Sequence, residues 1–248
     1  MSKAKPQAVV MIPTYNEREN IGGLIREILA LPVEYDLSVL VVDDNSPDGT
    51  AAVVMDAARQ DPRVHLLLRT ENRGRGLSGI AGFRKALDLG ADYVVEMDGD
   101  GSHQPLFIPS LLEAARRRDL VLGSRFIEGA KDADRPPHRR LITVFVRHFI
   151  RLLFSVPVHD ASSGFRCFRR EVLENVGLES LVSTGPSVVL EILYKSYRLG
   201  FSIGETPIVF IDRKSGKTKL TALTLWKSLF SALRIRRMYG RLQPITRT

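Results

Sequence analysis

The sequence predicts an α/β fold with a mostly parallel central sheet that carries helices on both faces. Three observations support this fold class. Buried-strand patterns alternate with amphipathic-helix patterns in the N-terminal part of the chain. Three of the predicted strands end in polar clusters, and open parallel sheets bind ligands at the carboxyl ends of their strands. The 248 residues, 44% of them hydrophobic, suffice for one large domain or two small ones.

The first two strand–helix units are predicted from apolar runs and apolar spacing. Residues 8–15 form an apolar run that we expect to be a buried strand ended by Pro13. Residues 37–42 are a second apolar run, which leads into the polar turn DDNSPDGT, and residues 50–59 are the next helix. The helix between the two strands is indicated by apolar residues at helical spacing, namely Ile21, Leu24, Ile25, Ile28 and Leu29.

The next two units continue the alternation of strand and helix. Residues 64–68 are a short third strand. The glycine-rich stretch NRGRGLSGIAGF then opens a helix that we expect to reach about residue 89. Residues 93–97 are a fourth strand, which delivers the chain to the turn DGDG. Parallel strands joined by helices are the arrangement that this order favours.

The C-terminal half follows a different pattern. DLVLGSRF is a further strand, residues 127–140 are a polar loop broken by prolines, and residues 141–154 are a helix. DASSGFRCFRREVL leads from a loop into a helix, and residues 201–220 are a strand followed by a basic loop. Nothing marks a linker, so we predict one domain over residues 1–220 and an amphipathic, basic extension over residues 221–248.

Composition excludes some classes of protein and leaves others open. The single cysteine, Cys167, cannot form an internal disulfide, which favours a reducing compartment. We expect no signal peptide, and no apolar run reaches the roughly 18 residues of a membrane-spanning helix. The net charge of +8 favours phosphates, nucleic acid or an anionic lipid surface as partners. No aromatic–basic interleaving, helix-turn-helix or zinc pattern is present, so we expect no nucleic acid.

Two aspartates on the glycine-lined turn DGDG are the strongest chemical signal. Asp98 and Asp100 are one residue apart, directly after a strand. Oxygen ligands on a tight turn suit Mg²⁺ or Mn²⁺, which often bridge a protein carboxylate to a substrate phosphate. A solvated turn in which Asp98 caps the next helix is the alternative. The other polar strand ends favour the metal site.

The remaining polar clusters are less specific. DDNSPDGT offers Asp43, Asp44 and Asp48, whose carboxylates could accept hydrogen bonds from a ribose or a base, while Asp48 caps the following helix. NRGRGLSG lacks the residues of a P-loop and the glycine spacing of a dinucleotide fold. A phosphate contact and a plain turn into a helix both stay open for it.

Seven stretches spread over residues 12–220 carry a resemblance. They are IPTYNERENI, VVDDNSPDGT, NRGRGLSGI, EMDGDGSH, LVLGSRF, HDASSGFRCFRREVL and ETPIVFIDRKSGKTKL. In this order they resemble the family 2 glycosyltransferases of GT-A fold, which are Rossmann-like, and most of all the dolichol- or polyprenol-phosphate mannose synthases. The resemblance implies an inverting enzyme that moves mannose from GDP-mannose to a polyprenyl phosphate and needs Mg²⁺ or Mn²⁺.

The resemblance also implies roles for individual residues. Arg125 would face the acceptor phosphate, and Asp98 and Asp100 would hold the metal, with Asp100 and Arg125 carrying catalysis. The residues of the guanosine site would be Pro13, Tyr15, Glu17 and Asp44. The remaining basic residues would be Arg139 and Arg140 of an acceptor loop, and Arg213 and Lys219 of a mobile loop that closes on the donor diphosphate.

The sequence departs from this family at three points, one of which is the stretch PSVVLEIL around Glu191, less aromatic than is usual in the family. Ser102 stands where some members have a glutamine at the metal, and Thr218 replaces a serine in the basic loop. A phosphate acceptor is already an anion at pH 7 and needs no general base. We therefore expect structural roles for His103 and His159.

The acceptor of such an enzyme is a lipid, so we expect a peripheral protein at the cytoplasmic face of a membrane. The helix at about 138–155 is expected to be interfacial, through Phe145, Phe149 and Phe154 and flanking arginines. The tail, with Trp226 and Phe230, is expected to touch the same surface or a membrane-anchoring partner subunit. A glucosyltransferase using another sugar nucleotide and a non-catalytic scaffold are the alternatives.

Overall fold

The computed structural model describes residues 4–133, 137–211 and 222–246, without side chains at 133, 137–143, 145 and 222–229. The strands are Gln7–Thr14 (β1), Asp36–Asp43 (β2), Val64–Leu68 (β3), Tyr93–Glu96 (β4), Leu120–Ser124 (β5), Lys131–Ala133 (β6), Arg166–Arg169 (β7), Ile203–Pro207 (β8) and Val209–Ile211 (β9). The α-helices are Arg18–Leu29 (α1), Thr50–Gln60 (α2), Arg75–Asp88 (α3), Ile108–Ala115 (α4), Pro137–Phe154 (α5), Arg170–Asn175 (α6), Val188–Arg198 (α7) and Ala222–Tyr239 (α8).

The main sheet is mostly parallel, as the sequence predicts. Its order is β3-β2-β1-β4-β7-β5-β8, and β7 alone runs antiparallel to its two neighbours among these strands. A second, two-stranded sheet pairs β6 with β9 in parallel. Successive strands run outward from β1 to β3, and the chain then returns through α3 to place β4 on the other side of β1. The strand order therefore reverses between β1 and β4.

Helices cover both faces of the main sheet, which confirms the predicted α/β class. The alternation of side chains along β1 sends Val9 and Met11 to one face and Val10 and Ile12 to the other. Apolar residues of α1, α2 and α4 pack on the second face. The first face is covered by apolar residues of α3, α6, α7, the end of α5 and the end of α8. Each face therefore has its own hydrophobic core.

The packing of α3 against the sheet requires a residue without a side chain at Gly82. A Cβ at this position would lie 2.7 Å from both Cγ and Sδ of Met11 and 2.9 Å from a methyl carbon of Val42. These separations are shorter than carbon–carbon van der Waals contact, so even alanine would push the helix away from β1 and β2.

Pro13 does not end the first strand, contrary to the prediction. It lies inside β1 and pairs with Val42 of β2. A proline is tolerated here because β4 pairs only with Ala8–Met11, so Pro13 lies beyond the last paired residue on the β4 side.

Several elements of the C-terminal half were not predicted. β7 lies within the stretch that the sequence indicates as a loop leading into a helix, and β6 lies within the predicted polar loop. Helix α7 is also additional, and the predicted single strand after residue 201 is two strands, β8 and β9; α4, in the N-terminal half, was not predicted either. β7 is only RCFR, whose two arginines conceal the pattern of a buried strand.

The last helix packs against the main body of the protein. Ala232, Ile235 and Tyr239 are buried in the core that covers the first face of the sheet. The predicted domain boundary at residue 220 lies outside the described residues and stays a prediction. Within the described ranges, no helix is both long enough and apolar enough to cross a membrane.

Candidate active site

The candidate site lies at the carboxyl ends of β1, β2 and β4, where the strand order reverses. In open α/β sheets this reversal leaves a crevice beyond the strand ends, in which ligands bind. The polar stretches that the sequence singles out follow these strand ends. The structure therefore brings together the clusters that begin at Tyr15, Asp43 and Asp98.

The turn after β2 is built by Asp43 and Asp48. Asp43 is fully buried and accepts hydrogen bonds from Thr14 Oγ1 at 2.9 Å and from the backbone N–H of Ser46 at 2.8 Å. Asp48 accepts the N–H of Thr50 at the start of α2 and the N–H of Arg18 at the start of α1. Asp48 thus binds the first N–H of α2 from the residue before the N-cap position, which Gly49 occupies without a side-chain cap, and both carboxylates organise the loop.

Asp44 ties the end of β2 to the glycine-rich turn. Its Oδ1 lies 2.5 Å from Nη1 of Arg69, and its Oδ2 accepts the backbone N–H of Gly74 at 2.7 Å. Its side chain is only 9% exposed. Both carboxylate oxygens of Asp44, which was predicted to bind the nucleoside, therefore already bind groups of the protein. Asp44 sets the position of the turn from which α3 starts.

The other predicted nucleoside residues lie on the β1–α1 turn. Pro13 is buried, while the Tyr15 side chain is exposed beside it. Glu17 accepts a hydrogen bond from Asn20, and a Cβ on Gly99 would lie 3.6 Å from Glu17 Cγ. Glu17 is thus adjacent to the turn that carries Asp98 and Asp100.

The two candidate metal ligands have different surroundings. Asp98, whose side chain is 30% exposed, receives Nη2 of Arg75 on Oδ1 at 3.1 Å. Asp100 accepts the backbone N–H of Ser102 at 3.0 Å and its hydroxyl at 2.6 Å, both on Oδ1. Ser102 therefore orients Asp100.

Arg75 links Asp98 to charged groups buried in the sheet. Its Nη1 lies 3.1 Å from Oε1 of Glu96, and Oε2 of Glu96 lies 2.5 Å from Nη2 of the fully buried Arg166. Burial lowers the pKa of Arg75, but the charges of Glu96 and Asp98 outweigh burial and raise it. Arg75 is therefore a permanent cation at the candidate metal site.

His103 is buried against the turn that carries Asp98 and Asp100. Its Nδ1 accepts the backbone N–H of Asp98 at 3.0 Å, and its ring stacks on Phe165 at a centroid distance of 5.0 Å. Burial lowers its pKa, although Asp98 and Asp100 oppose this shift. A neutral ring is the form that can accept this N–H, so the geometry agrees with the structural role expected of His103.

Arg125 follows β5 and is held by a buried carboxylate. Its Nε and Nη2 each lie 2.7 Å from an oxygen of Asp160, which is 1% exposed, and Nη2 also donates to Ser162 Oγ at 3.0 Å. Burial lowers the pKa of Arg125, but the hydrogen bond to Asp160 outweighs burial and raises it. This bidentate geometry fixes the direction of the guanidinium.

Aromatic rings connect Arg125 with both sides of the site. Its guanidinium lies 5.2 Å from the ring centroid of Phe210 in β9, and that ring is 5.8 Å from the ring of His103. The guanidinium is also 5.2 Å from the ring of Phe126, which is 4.7 Å from Arg147 of α5. Arg125 thus stands between the aspartate turn and α5.

Four predicted phosphate ligands fall where the structure gives no side chain. Arg139 and Arg140 lie in α5, and their side chains are outside the described part of the chain. Arg213 and Lys219 lie in the stretch 212–221, which is also outside it. Their roles stay predictions.

Asp98 and Asp100 form a donor set that fits a hard divalent cation. Their ligand atoms are carboxylate oxygens, which Mg²⁺ and Mn²⁺ prefer. No group of three or more His, Cys, Asp or Glu that could hold a metal occurs within the described ranges. A site with two carboxylates leaves coordination positions for water and for phosphate oxygens, as Mg²⁺ sites commonly do.

Several charged residues of this site were not predicted, among them Arg75, Glu96 and Asp160. Arg75 stands between two glycines in NRGRGLSG, whose spacing matches neither a P-loop nor a dinucleotide fold. Asp160 lies in HDASSGF, and Glu96 immediately precedes MDGD. A charged residue inside an apolar run, as Glu96 is, is the signal that could have been followed, because buried charges need partners.

Comparison with known proteins shows which family the chain belongs to. Residues 9–177 match the model of the family described as Glycosyl transferase family 2. An undecaprenyl-phosphate mannosyltransferase of Micrococcus luteus is 40% identical over 87% of this chain and 88% of its own length. A polyprenol monophosphomannose synthase of Mycolicibacterium smegmatis is 37% identical over 90% and 84%.

A solved structure shares the fold at low sequence identity. It is the glucosyl-3-phosphoglycerate synthase of Mycobacterium tuberculosis in complex with Mn²⁺, UDP and glucosyl-3-phosphoglycerate, with a TM-score of 0.66 and 21% identity over 97% of this chain and 82% of that one. The match over residues 9–177, together with two relatives that align along most of their length, shows that the chain belongs to glycosyl transferase family 2.

Proposed function

We propose that the protein is an inverting glycosyltransferase that moves mannose from GDP-mannose to a polyprenyl phosphate. The observation that carries the proposal is the similarity, at 40% and 37% identity over most of each chain, to two relatives named for mannosyl transfer to a polyprenyl phosphate. The arrangement of Asp98, Asp100 and Arg125 around one crevice supports it.

Asp98 and Asp100 would hold Mg²⁺ or Mn²⁺, the cofactor of the proposed reaction. A cation there would act as a Lewis acid toward the diphosphate of the donor. The Mn²⁺ in the glucosyl-3-phosphoglycerate synthase structure, which shares this fold, supports the proposal. Ser102 orients Asp100, and Arg75 places a second positive charge beside Asp98. The nucleoside would lie over the β1–α1 turn, with Tyr15 exposed beside Pro13.

Arg125 would hold the acceptor phosphate. Asp160 and Ser162 bind one side of its guanidinium, so the group is pre-oriented before the acceptor arrives. A phosphate monoester is an anion at pH 7, and a positioned anion attacks without a general base. Arg139 and Arg140 of α5, and Arg213 and Lys219 of the basic loop, would add charge for the two phosphate groups.

We further propose that α5 and α8 meet the membrane surface that carries the acceptor. Large apolar side chains are exposed on both helices: Leu152 is 84% exposed, Phe230 is 72% exposed and Leu233 is 52% exposed. Phe154, which the sequence had suggested for this surface, is instead buried against Tyr194.

The test of the proposed function is a transfer assay with defined substrates. Purified protein is mixed with Mg²⁺ or Mn²⁺, a short polyprenyl phosphate and, in separate reactions, GDP-mannose, GDP-glucose and UDP-glucose. Mass spectrometry of the lipid product is expected to find a mannosyl adduct from GDP-mannose. Preferential formation of a glucosyl adduct would contradict the mannose assignment, and the absence of any adduct would contradict the proposal as a whole.

A further inference from the structure

The loop at residues 182–185, just before α7, packs against the glycine-rich turn that opens α3. A Cβ on Gly76 would be 2.6 Å from the carbonyl carbon and oxygen of Thr184 and 2.7 Å from the carbonyl oxygen of Gly185. The two backbones are therefore in contact, with no room for a side chain between them. Arg75 is the neighbour of Gly76, and its Nη2 lies 3.1 Å from Oδ1 of Asp98.

The loop is held by the buried carboxylate of Glu191. This residue of α7 is fully buried, and its two oxygens accept the backbone N–H groups of Val182 and Ser183, each at 2.8 Å. Hydrogen bonds from backbone donors to a buried carboxylate are short and strong. The 182–185 segment is thus fixed from α7 on one side and rests against Gly76 on the other.

A residue near the end of α8 completes this arrangement. The hydroxyl of Tyr239, which is 6% exposed, lies 2.6 Å from Oε1 of Glu191 and 3.2 Å from the carbonyl oxygen of Ser180. Burial and the hydrogen bond to Glu191 raise the pKa of Tyr239, so the hydroxyl stays protonated and can donate. Lys195 lies over its ring at 5.0 Å and donates to Ser180 Oγ.

We propose that Glu191 and Tyr239 are positioning residues of the donor site, which hold the 182–185 segment against the glycine-rich turn and thereby set Arg75 beside Asp98. Helix α8 then influences the donor site indirectly, since none of its described side chains reaches the strand ends. The donor part of this inference rests on the proposed function, whereas the positioning part does not.

The matched pair of variants is Tyr239→Phe and Tyr194→Phe. Both tyrosines are buried and both hydroxyls join α7 to α8, since Tyr194 binds Arg236, but in the described contacts only Tyr239 binds the carboxylate that holds the loop. Hydrogen–deuterium exchange of the unliganded protein is measured by mass spectrometry. Tyr239→Phe is expected to raise exchange in peptides covering 74–78 and 182–187, and Tyr194→Phe is expected to leave them unchanged. Equal exchange in these peptides for both variants overturns the inference.

Kinetics tests the link to the donor. Loss of one hydrogen bond to a buried carboxylate is expected to raise the donor KM of Tyr239→Phe about tenfold, while its acceptor KM stays at the wild-type value. A donor KM equal to that of Tyr194→Phe contradicts the link. Wild-type protein without transfer would overturn the proposed function, and the exchange measurement would still decide the positioning role. Should Tyr239→Phe fail to fold, Glu191→Gln replaces it, because glutamine cannot accept both backbone N–H groups. This variant is expected to raise exchange in the same peptides.

Discussion

Arginines at the carboxyl edge of the sheet are paired with carboxylates inside the protein. Arg125 is paired with Asp160, Arg75 with Glu96 and Asp98, and Arg69 with Asp44. The planar fork of arginine binds a carboxylate on one side and keeps further N–H donors for another anion. The site therefore holds these arginines in a fixed geometry, with their charges matched by Asp44, Glu96, Asp98 and Asp160.

Replacing Asp160 by asparagine tests whether the direction of Arg125 matters. The substitution keeps the size of the side chain but removes the bidentate carboxylate, and we expect kcat/KM for the lipid phosphate to fall about 10²-fold, the size of effect seen when an electrostatic contact is lost. Ser162→Ala removes the hydroxyl that accepts from Arg125 and donates to Asp160 but leaves the bidentate pair, so it is the control, with an expected change under about fivefold. Equal activity of Asp160→Asn and wild type would show that Arg125 needs no such orientation.

Asp48 makes part of the stability depend on pH. Burial opposes the shift, but hydrogen bonds from Thr50 and Arg18 lower the pKa of Asp48 below its ordinary 3.8. The contribution is therefore complete above pH 3.8 and is lost as the pH falls through the lower pKa of the folded state.

Asp48→Ala is expected to lower the free energy of unfolding by about 1 kcal/mol at pH 6, a typical value for a helix-capping side chain. Urea unfolding curves of the variant and the wild type should converge as the pH falls below 3.8 and through the lowered pKa of Asp48 in the folded state. A difference that persists unchanged in acid would contradict the role of the ionised carboxylate.

At the scale of elements, the N-terminal half was predictable apart from α4, because the strands and the first three helices have the period of their class. β3 has the predicted bounds, and α2 differs from its prediction by one residue. The C-terminal half was less predictable because its stability depends on tertiary pairing. Arg166 can be buried in β7 only because Glu96 of β4 lies opposite it, and no local pattern reveals that partner.

The same limit applies to the candidate site. Asp98 and Asp100 could be found from their spacing after a strand, because carboxyl ends of parallel strands meet at one edge. The contact of Asp160 with Arg125 joins residues 35 positions apart, and that of Tyr239 with Glu191 joins residues 48 apart. Such partners are set by packing of distant elements, so sequence patterns do not indicate them.

Alanine substitutions are expected to have opposite effects on stability at two helical glycines, Gly82 in α3 and Gly23 in α1. Gly82→Ala is expected to destabilise the protein by roughly 1–3 kcal/mol, because the added carbon meets Met11 at 2.7 Å. Gly23→Ala in α1, where an added Cβ meets nothing within 4 Å, is expected to stabilise it by about 0.5–1 kcal/mol. Thermal unfolding of both variants checks this, and a Gly82→Ala protein as stable as wild type would contradict the tight packing.

At the scale of the whole molecule, the net charge of +8 and the exposed apolar side chains of α5 and α8 suit an anionic lipid surface. Wild-type protein is expected to float with vesicles that contain anionic phospholipid and to remain unbound with neutral vesicles. The double variant Phe230→Ser, Leu233→Ser is expected to lose most of this binding. Met55→Ser removes a comparably exposed apolar side chain from α2 and should bind as wild type does. Unaltered flotation of the double variant would show that α8 does not contact the lipid surface.

The central claim is that the two aspartates at the reversal of strand order hold the donor diphosphate through a divalent cation. Calorimetric titration of GDP into the wild type and into Asp100→Ala, each with Mn²⁺ and with a chelator, tests it most directly. The account predicts that Mn²⁺ strengthens GDP binding by the wild type about tenfold or more and has no such effect on Asp100→Ala, whose circular dichroism spectrum stays that of the wild type. Equal strengthening by Mn²⁺ in both proteins would contradict the account.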